Sequence, residues 1–524
     1  MFAVRRWDRG KVCDLLIYLL FIILMVLVIE NKENLYVDEL GNYGMANNVG
    51  GTNIVIEDGR TYYPSGIPWM EYMTVDKGHR FDYRNVWTNQ AEDVHPPLSY
   101  VFLHTICSFF PGIFSVWFAA VINIGFALGT LFFLRKIALL LTEDVSLQRM
   151  IALAFVCSAG ILSAVSFLRM YICAMFWVTA LTFFLIRQIG EKHTVRFYAA
   201  LIVCTVGGAL THYYCIVYAV LISATYGCRL LYQKRMKETG FFCLTQITAG
   251  LLSVAIFPAM IQHLFSSGRG EESVGNLIGN SMASWMLRLK IYFGILDDQL
   301  FGGAAVYILA AALIVLFVCG RRQYDRISGD GQRIVVMRYL CMIVPCGLYF
   351  ILVSRIAVFL SDRYMHPVYA VLYVAALAAL SKWIKKNVSQ RFYMYAIALV
   401  LSFMTVNSWR KMNWEYLYQS TDELLETASA YGEVDCICIY DKIWEILPAY
   451  YEAAGYHSIT FFTSEDLDKL ASLDLSSRYQ LILMTTDDDE KMIERVMEIC
   501  PDLNCSEYLG GYSYTNTYFL HGAQ

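Results

Sequence analysis

Charge is scarce: Asp, Glu, Lys and Arg make up 16% of the 524 residues, against about 25% in soluble proteins. That excludes a string of ordinary water-soluble domains. Proline is scarce too, with only 10 residues, so long runs of chain pass uninterrupted. The 15 cysteines show no paired spacing of the zinc type. Cys157, Cys173, Cys204 and Cys215 lie inside apolar runs, where they read as small hydrophobes. A disulfide at Cys500 or Cys505 is left open by the sequence. No glycine-rich phosphate loop, fixed-period repeat or low-complexity tract is visible. No basic surface lies outside the membrane loops, which excludes nucleic acid as a partner.

Apolar residues, 57% of the chain, are abundant and concentrated. They form runs near 13–30, 113–134, 148–167, 170–187, 196–210, 213–232, 241–262, 302–320, 334–354, 365–381 and 391–408. Each is close to the length that spans about 30 Å of hydrocarbon. The expected fold class is an all-α polytopic membrane domain of about eleven transmembrane helices over residues 1–410. The first run follows Arg5, Arg6, Arg9 and Lys11 and ends in Glu30-Asn31-Lys32-Glu33 with no small-residue cleavage site. It reads as an uncleaved helix with a cytoplasmic N-terminus.

Loop charge fits that count. One set of alternate loops carries Arg135, Lys136 and Arg149; Arg187, Lys192 and Arg196; Arg229, Lys234, Arg235 and Lys237; Arg321, Arg322, Arg326 and Arg333; and Lys382, Lys385, Lys386 and Arg391. Basic loops face the cytoplasm, and an odd number of crossings then puts the C-terminus outside. The run 95–110 stops at Pro111-Gly112 and reads as an interfacial helix on the outer side. Two outer loops, 31–112 and 263–301, are long enough to carry function. Residues 421–524 hold 20 Asp and Glu against 5 Lys and Arg, so the preceding 420 carry a net +11 of the chain's −4. Strand-like segments at 436–440, 458–463, 479–485 and 512–520 alternate with helical ones at 442–454, 464–471 and 487–500, predicting a small acidic α/β domain outside the membrane. Cys436 and Cys438 alternate on one strand and should share a face.

Polar residues gather at the outer ends of the apolar runs. Asp38 and Glu39 open the first outer loop; the pair can cap a helix or serve as general base. Glu92-Asp93-Val94-His95-Pro96-Pro97 closes that loop, and Asp93, His95 and His212 are candidate ligands of a divalent metal. Arg169-Met170-Tyr171, Thr211-His212-Tyr213-Tyr214, Arg355 and Asp362-Arg363-Tyr364-Met365-His366-Pro367 lie at outer turns. Arginine and tyrosine there can be interfacial anchors. Their convergence on one face suits an anionic headgroup instead.

The ordered set of Asp38-Glu39, His95-Pro96-Pro97-Leu98-Ser99-Tyr100, Arg169-Met170-Tyr171, Thr211-His212-Tyr213-Tyr214 and Arg363-Tyr364-Met365-His366-Pro367, over residues 10–410, resembles membrane glycosyltransferases of the GT-C fold. The likeness is to family 39, the dolichyl-phosphate-mannose protein mannosyltransferases and the bacterial aminoarabinose transferases. The resemblance implies a hexosyl- or pentosyltransferase of the bacterial cell membrane with a polyprenyl-phosphate sugar as donor. The acceptor would be a glycan, lipid or protein on the non-cytoplasmic face. Asp38 would match the first-loop aspartate of the family.

The chemistry points the same way. A phosphate leaves as a stable anion, so a base for the acceptor and positive charge for the phosphate suffice. Asp38, with Glu39 beside it, is the expected base. Arg363, Arg355 and Arg169 are the expected phosphate ligands, while His95, Tyr100, Tyr171, His212, Tyr213 and Tyr364 are expected to line the site. A single carboxylate acting on the acceptor favours inversion. A flippase for lipid-linked sugars and a noncatalytic membrane scaffold are the competing readings. A flippase would place ionisable groups near the membrane midplane.

Overall fold

The computed structural model describes residues 9–308, 310, 330–389, 391–414, 416, 421–472 and 479–522. The chain divides into two units, one of helices (1–30, 94–99 and 119–414) and one built around a sheet (31–93, 100–118 and 415–524).

In the helical unit, apolar faces divide between protein and lipid. Along Arg9–Glu30, Ile17, Phe21 and Met25 are buried while Leu15, Leu16, Leu19, Ile23 and Leu27 stay exposed. Such a bare leucine face is stable only in hydrocarbon. Among the described residues, six helices are long and apolar enough to cross a membrane: Arg9–Glu30, Val116–Thr142, Tyr213–Tyr232, Met236–Ile256, Arg333–Ile356 and His366–Asn387. A seventh span is broken, with Val145–Val156 and Ala159–Ser166 meeting at 51°. The chain is a multi-pass membrane protein. The expected runs 170–187 and 196–210 form the shorter helices Tyr171–Arg187 and Val195–Ala209, and 391–408 forms Tyr393–Lys411. The run 302–320, the basic residues Arg321, Arg322 and Arg326, and Arg5 and Arg6 fall largely outside the described residues. Of the loop arginines, Arg135 and Arg149 both pair with Asp14 on the first helix.

The break in the seventh span shapes the site below. At Gly160 a Cβ would sit 2.8 Å from both the backbone oxygen and the Cβ of Gln299. Only glycine lets this helix close on the turn Asp297–Phe301. Ser408 Oγ donates to the Gln299 carbonyl at 2.6 Å from a third direction.

Among the described residues the sheet unit has six strands: β1 Thr61–Tyr62, β2 Asp435–Tyr440, β3 Ser458–Thr463, β4 Gln480–Thr485, β5 Cys505–Tyr512 and β6 Thr515–His521. Their order is β1-β3-β2-β4-β6-β5. The three central strands β3, β2 and β4 run parallel and are almost wholly buried, which explains their continuous apolar sequences. Ile437, Ile439, Leu481 and Leu483 pack against Met492 and Val496 of the helix Asp489–Ile499. The Asp488 carboxylate caps that helix, accepting from the Lys491 N–H.

Two features differ from the sequence reading. The single strand expected at 512–520 is the end of a hairpin that reverses at Ser513, whose φ is +59°. Its first arm, β5, is a largely exposed edge without the apolar run that marks the inner strands. The second difference is β1, which comes from the first outer loop and pairs antiparallel with β3. Thr61 Oγ1 and Thr460 Oγ1 lie 2.8 Å apart. The Asp58 carboxylate accepts from the Thr463 N–H and from Lys469 Nζ, both at 2.8 Å. The loop 31–93 therefore folds with the C-terminal residues, not as a separate appendage of the membrane domain.

Within that loop, Val37–Asn47 and Tyr83–Glu92 are helical. The Asn48 carbonyl accepts from Asn85 Nδ2 at 2.7 Å and Asn89 Nδ2 at 2.8 Å, tying the two together. The expected interfacial helix is Leu98–Phe109, 12 residues and so about 18 Å long, too short to span.

Gly44 tests the packing of this unit. A Cβ there would lie 1.8 Å from Cζ of Tyr72, whose hydroxyl is held by the Thr52 carbonyl. Gly44→Ala should cost about 1–3 kcal/mol of stability by overpacking, read as a lower melting point in detergent. Equal melting would mean that Tyr72 swings aside freely.

Candidate active site

Among the described residues, four interruptions of the helical unit carry the polar side chains that concern the site. The first is His95-Pro96-Pro97, after which the Leu98 N–H donates to the Leu210 carbonyl at 2.9 Å. The second is the turn before Tyr171–Arg187, which holds Arg169. The third is Thr211-His212 at the head of Tyr213–Tyr232. The fourth is 357–368, with Asp362, Arg363 and His366.

The Arg169 turn is fixed from beneath. Asn123, buried inside Val116–Thr142, donates its amide to the carbonyls of Val165 at 3.0 Å and Phe167 at 2.8 Å. The Arg169 N–H bonds the same Phe167 carbonyl at 2.7 Å. Arg169 is buried, and its Nη2 lies 3.4 Å from His95 Nε2. Tyr171 stacks on Phe167 at 5.6 Å, meets the His212 ring at 5.1 Å and stands edge-on to His366 at 6.0 Å.

His212 caps its helix, its Nδ1 accepting from the Tyr214 N–H at 3.1 Å. Burial first, then the charges of His95, Arg169 and Arg363, push its pKa down to about 3. The imidazole is therefore neutral at physiological pH. The His212 ring also meets the Tyr214 ring at 5.1 Å.

The fourth interruption is braced by its own network. Gln299 Nε2 donates to Asp362 Oδ2 at 2.7 Å, and the Tyr369 hydroxyl donates to Gln299 Oε1. His366 Nε2 lies 3.5 Å from Asp362. The Tyr349 hydroxyl holds the Tyr364 carbonyl at 2.7 Å, and Tyr364 meets the Tyr214 ring at 5.3 Å. The Arg363 guanidinium sits over the rings of Phe359 and Tyr364.

Of the expected residues, His95, Arg169, Tyr171, His212, Arg363 and Tyr364 are thus brought together. Arg355 is held apart with its own partners: its guanidinium stacks on Trp285 at 4.9 Å and donates to the carbonyls of Leu277 at 2.7 Å and Asn280 at 3.3 Å. The Tyr213 hydroxyl bonds His263 Nδ1 at 2.7 Å. Tyr100 is fully buried in the sheet unit. Asn123, Gln299 and Tyr369 were not anticipated. A lone amide in an apolar run, as at Asn123, is the one signal that could have found them.

In the sheet unit Asp38 and Glu39 stand in the first turn of Val37–Asn47, where the helix dipole favours carboxylates. Successive helical residues point in different directions, and their surroundings differ. Asp38 is half-buried. The Glu39 side chain is 0% exposed, 2.9 Å from Lys32 Nζ, itself 1% exposed. Glu39 Oε2 also accepts from the Tyr36 N–H at 2.7 Å.

The donors expected for a divalent metal do not fit one. With its Nδ1 accepting a backbone N–H, His212 carries its proton on Nε2 and has no lone pair to offer. His95 directs Nε2 toward a guanidinium. Glu92 and Asp93 close the helix Tyr83–Glu92, with the Asp93 N–H on the Asn89 carbonyl. Among the described residues no three His, Cys, Asp or Glu gather as metal ligands.

No family model matches the chain, and no curated protein matches it. Solved structures do. ArnT from Cupriavidus metallidurans bound to undecaprenyl phosphate aligns with a TM-score of 0.56 at 10% identity, over 98% of this chain and 99% of that one. The oligosaccharyltransferase AglB from Archaeoglobus fulgidus, in complex with an inhibitory peptide and a dolichol-phosphate, aligns at 0.47 and 10% identity, over 96% and 74%. The chain has the GT-C fold that the sequence led us to expect.

Asn123→Leu would strip the buried carbonyls of Val165 and Phe167 of a partner. A loss of about 1–3 kcal/mol is expected, measured by thermal unfolding in detergent. A variant that melts like the parent would show that the Arg169 turn does not depend on this amide.

Proposed function

We propose that the chain is a glycosyltransferase moving a sugar from a polyprenyl-phosphate donor to a glycan, lipid or protein acceptor on the non-cytoplasmic face. The observation that carries this reading is the cluster at the ends of membrane helices in which Arg169 lies 3.4 Å from His95 and Arg363 lies over Tyr364, whose ring meets the Tyr214 ring beside His212. Guanidinium groups offer parallel N–H pairs that match a phosphate. In a water-poor pocket their attraction for its charge is strengthened. The shared fold with ArnT, a protein bound to undecaprenyl phosphate, supports the donor class. Basic residues in the alternate loops support the choice of face and an external C-terminus.

In the reaction the acceptor oxygen forms a bond to the anomeric carbon as the bond from that carbon to the phosphate oxygen breaks. The polyprenyl phosphate leaves with the electron pair and is received by Arg169 and Arg363. The acceptor proton goes to Asp38, the general base. A single carboxylate acting on the acceptor favours inversion. Glu39, enclosed by Lys32 and the Tyr36 N–H, braces the helix that carries Asp38. Arg355 supports the neighbouring loop.

Purified protein with a radiolabelled short-chain polyprenyl-phosphate sugar tests the proposal directly. Asp38→Asn keeps shape and removes basicity, so turnover should fall about 10²-fold or more. Near-normal turnover would remove Asp38 from the base role. Arg363→Lys should raise KM for the donor and lower kcat, since lysine cannot reproduce a paired grip. Unchanged constants would take Arg363 out of the phosphate site.

A further inference from the structure

Asp38 is reached through a segment that makes no secondary structure of its own, residues 32–36. Ordering such a stretch costs about 1–2 kcal/mol per residue, and its buried backbone groups need partners. The C-terminal residues supply them. The Leu35 N–H donates to the Tyr451 hydroxyl at 2.5 Å, 416 residues away in sequence. The Leu35 carbonyl accepts from the Tyr512 hydroxyl at 3.4 Å, across 477 residues. Both hydrogen-bonding groups of one residue are thus held by two phenols.

The clamp is built around more than these two bonds. The rings of Tyr451 and Tyr512 stand edge to face at 6.1 Å. Lys32 Nζ donates to the Tyr416 carbonyl while pairing with Glu39. Tyr36 meets the Tyr416 ring at 5.8 Å. Leu35 itself is 1% exposed. Burial, and to a lesser degree the Glu39 carboxylate, raise the pKa of both Tyr451 and Tyr512, so both hydroxyls keep their protons.

We propose that Tyr451 and Tyr512 are positioning residues for Asp38. By gripping Leu35, three residues before it, the C-terminal domain fixes where the helix Val37–Asn47 begins and hence where its first carboxylate stands. A base displaced by about 1 Å can lose about 10²-fold in rate. The acidic domain then has a part in catalysis without touching substrate. This inference rests on the assignment of Asp38 as base.

The experiment uses the full chain with Tyr451→Phe, Tyr512→Phe and both together, which keep the rings and remove only the hydroxyls. Tyr518→Phe is the control: its hydroxyl bonds Asp489 at 2.9 Å in the same sheet. Three quantities are read: kcat and donor KM with a polyprenyl-phosphate sugar, melting temperature, and hydrogen–deuterium exchange of amides 35–40. The double variant should lose about 10²-fold in kcat with donor KM within about twofold, and its 35–40 amides should exchange faster. The control should match the parent in all three. A double variant with parental kcat, or one whose loss merely follows a melting shift shared by the control, overturns the proposal. The exchange readout separates this from failure of the enzymatic reading. If the parent transfers no sugar, unchanged exchange at 35–40 in the double variant still overturns the clamp, and faster exchange still supports it.

Discussion

A helix that stops near lipid leaves backbone groups that only protein can satisfy, and the candidate site of this chain is a consequence of that constraint. The helical unit is interrupted at 95–97, 167–170, 210–212 and 357–368. Each interruption is closed by a specific side chain or backbone partner: Asn123 beneath the second, the His212 imidazole at the third, Tyr349 and Gln299 at the fourth. The groups that close the breaks also fix the residues beside them. Arg169 and Arg363 stand on turns braced in this way.

Once those turns are set, electrostatics follows. Burial first, and the neighbouring charges after it, keep the His212 imidazole neutral. A neutral ring can pack against Tyr171 and Tyr214 without adding to the local charge. The positive potential is left to the guanidinium groups, whose charge does not depend on pH.

The sheet unit follows a different rule. Its centre is a short parallel sheet that any buried α/β domain would show, but its edge strand comes from a loop nearly 400 residues earlier. The sheet is complete only when the C-terminal strands exist, so the first loop cannot reach its final arrangement before the chain has been made in full. Long-range pairing of this kind is slow to form. In exchange, a loop of some sixty residues is held by strand pairing, by the Asp58 carboxylate and by the Leu35 clamp.

Much was legible before any coordinates. Ten of the eleven apolar runs fall on described helices, because hydropathy is a local property, but only six of those helices and one broken pair are long and apolar enough to span. The order of motifs gave the GT-C fold, and the convergence of His95, Arg169, His212 and Arg363 could be read from their shared position at the ends of apolar runs. What tertiary structure decided was partnership. Arg355 and Arg363 are eight residues apart and chemically identical, yet one is spent on two carbonyls and a tryptophan while the other stands in the cluster. Asp38 and Glu39 are adjacent carboxylates, yet one is enclosed by a buried lysine. The pairing of β1 with β3 left no trace in a two-residue strand. Sequence fixes what each group can bond, but which group reaches which partner depends on packing in three dimensions.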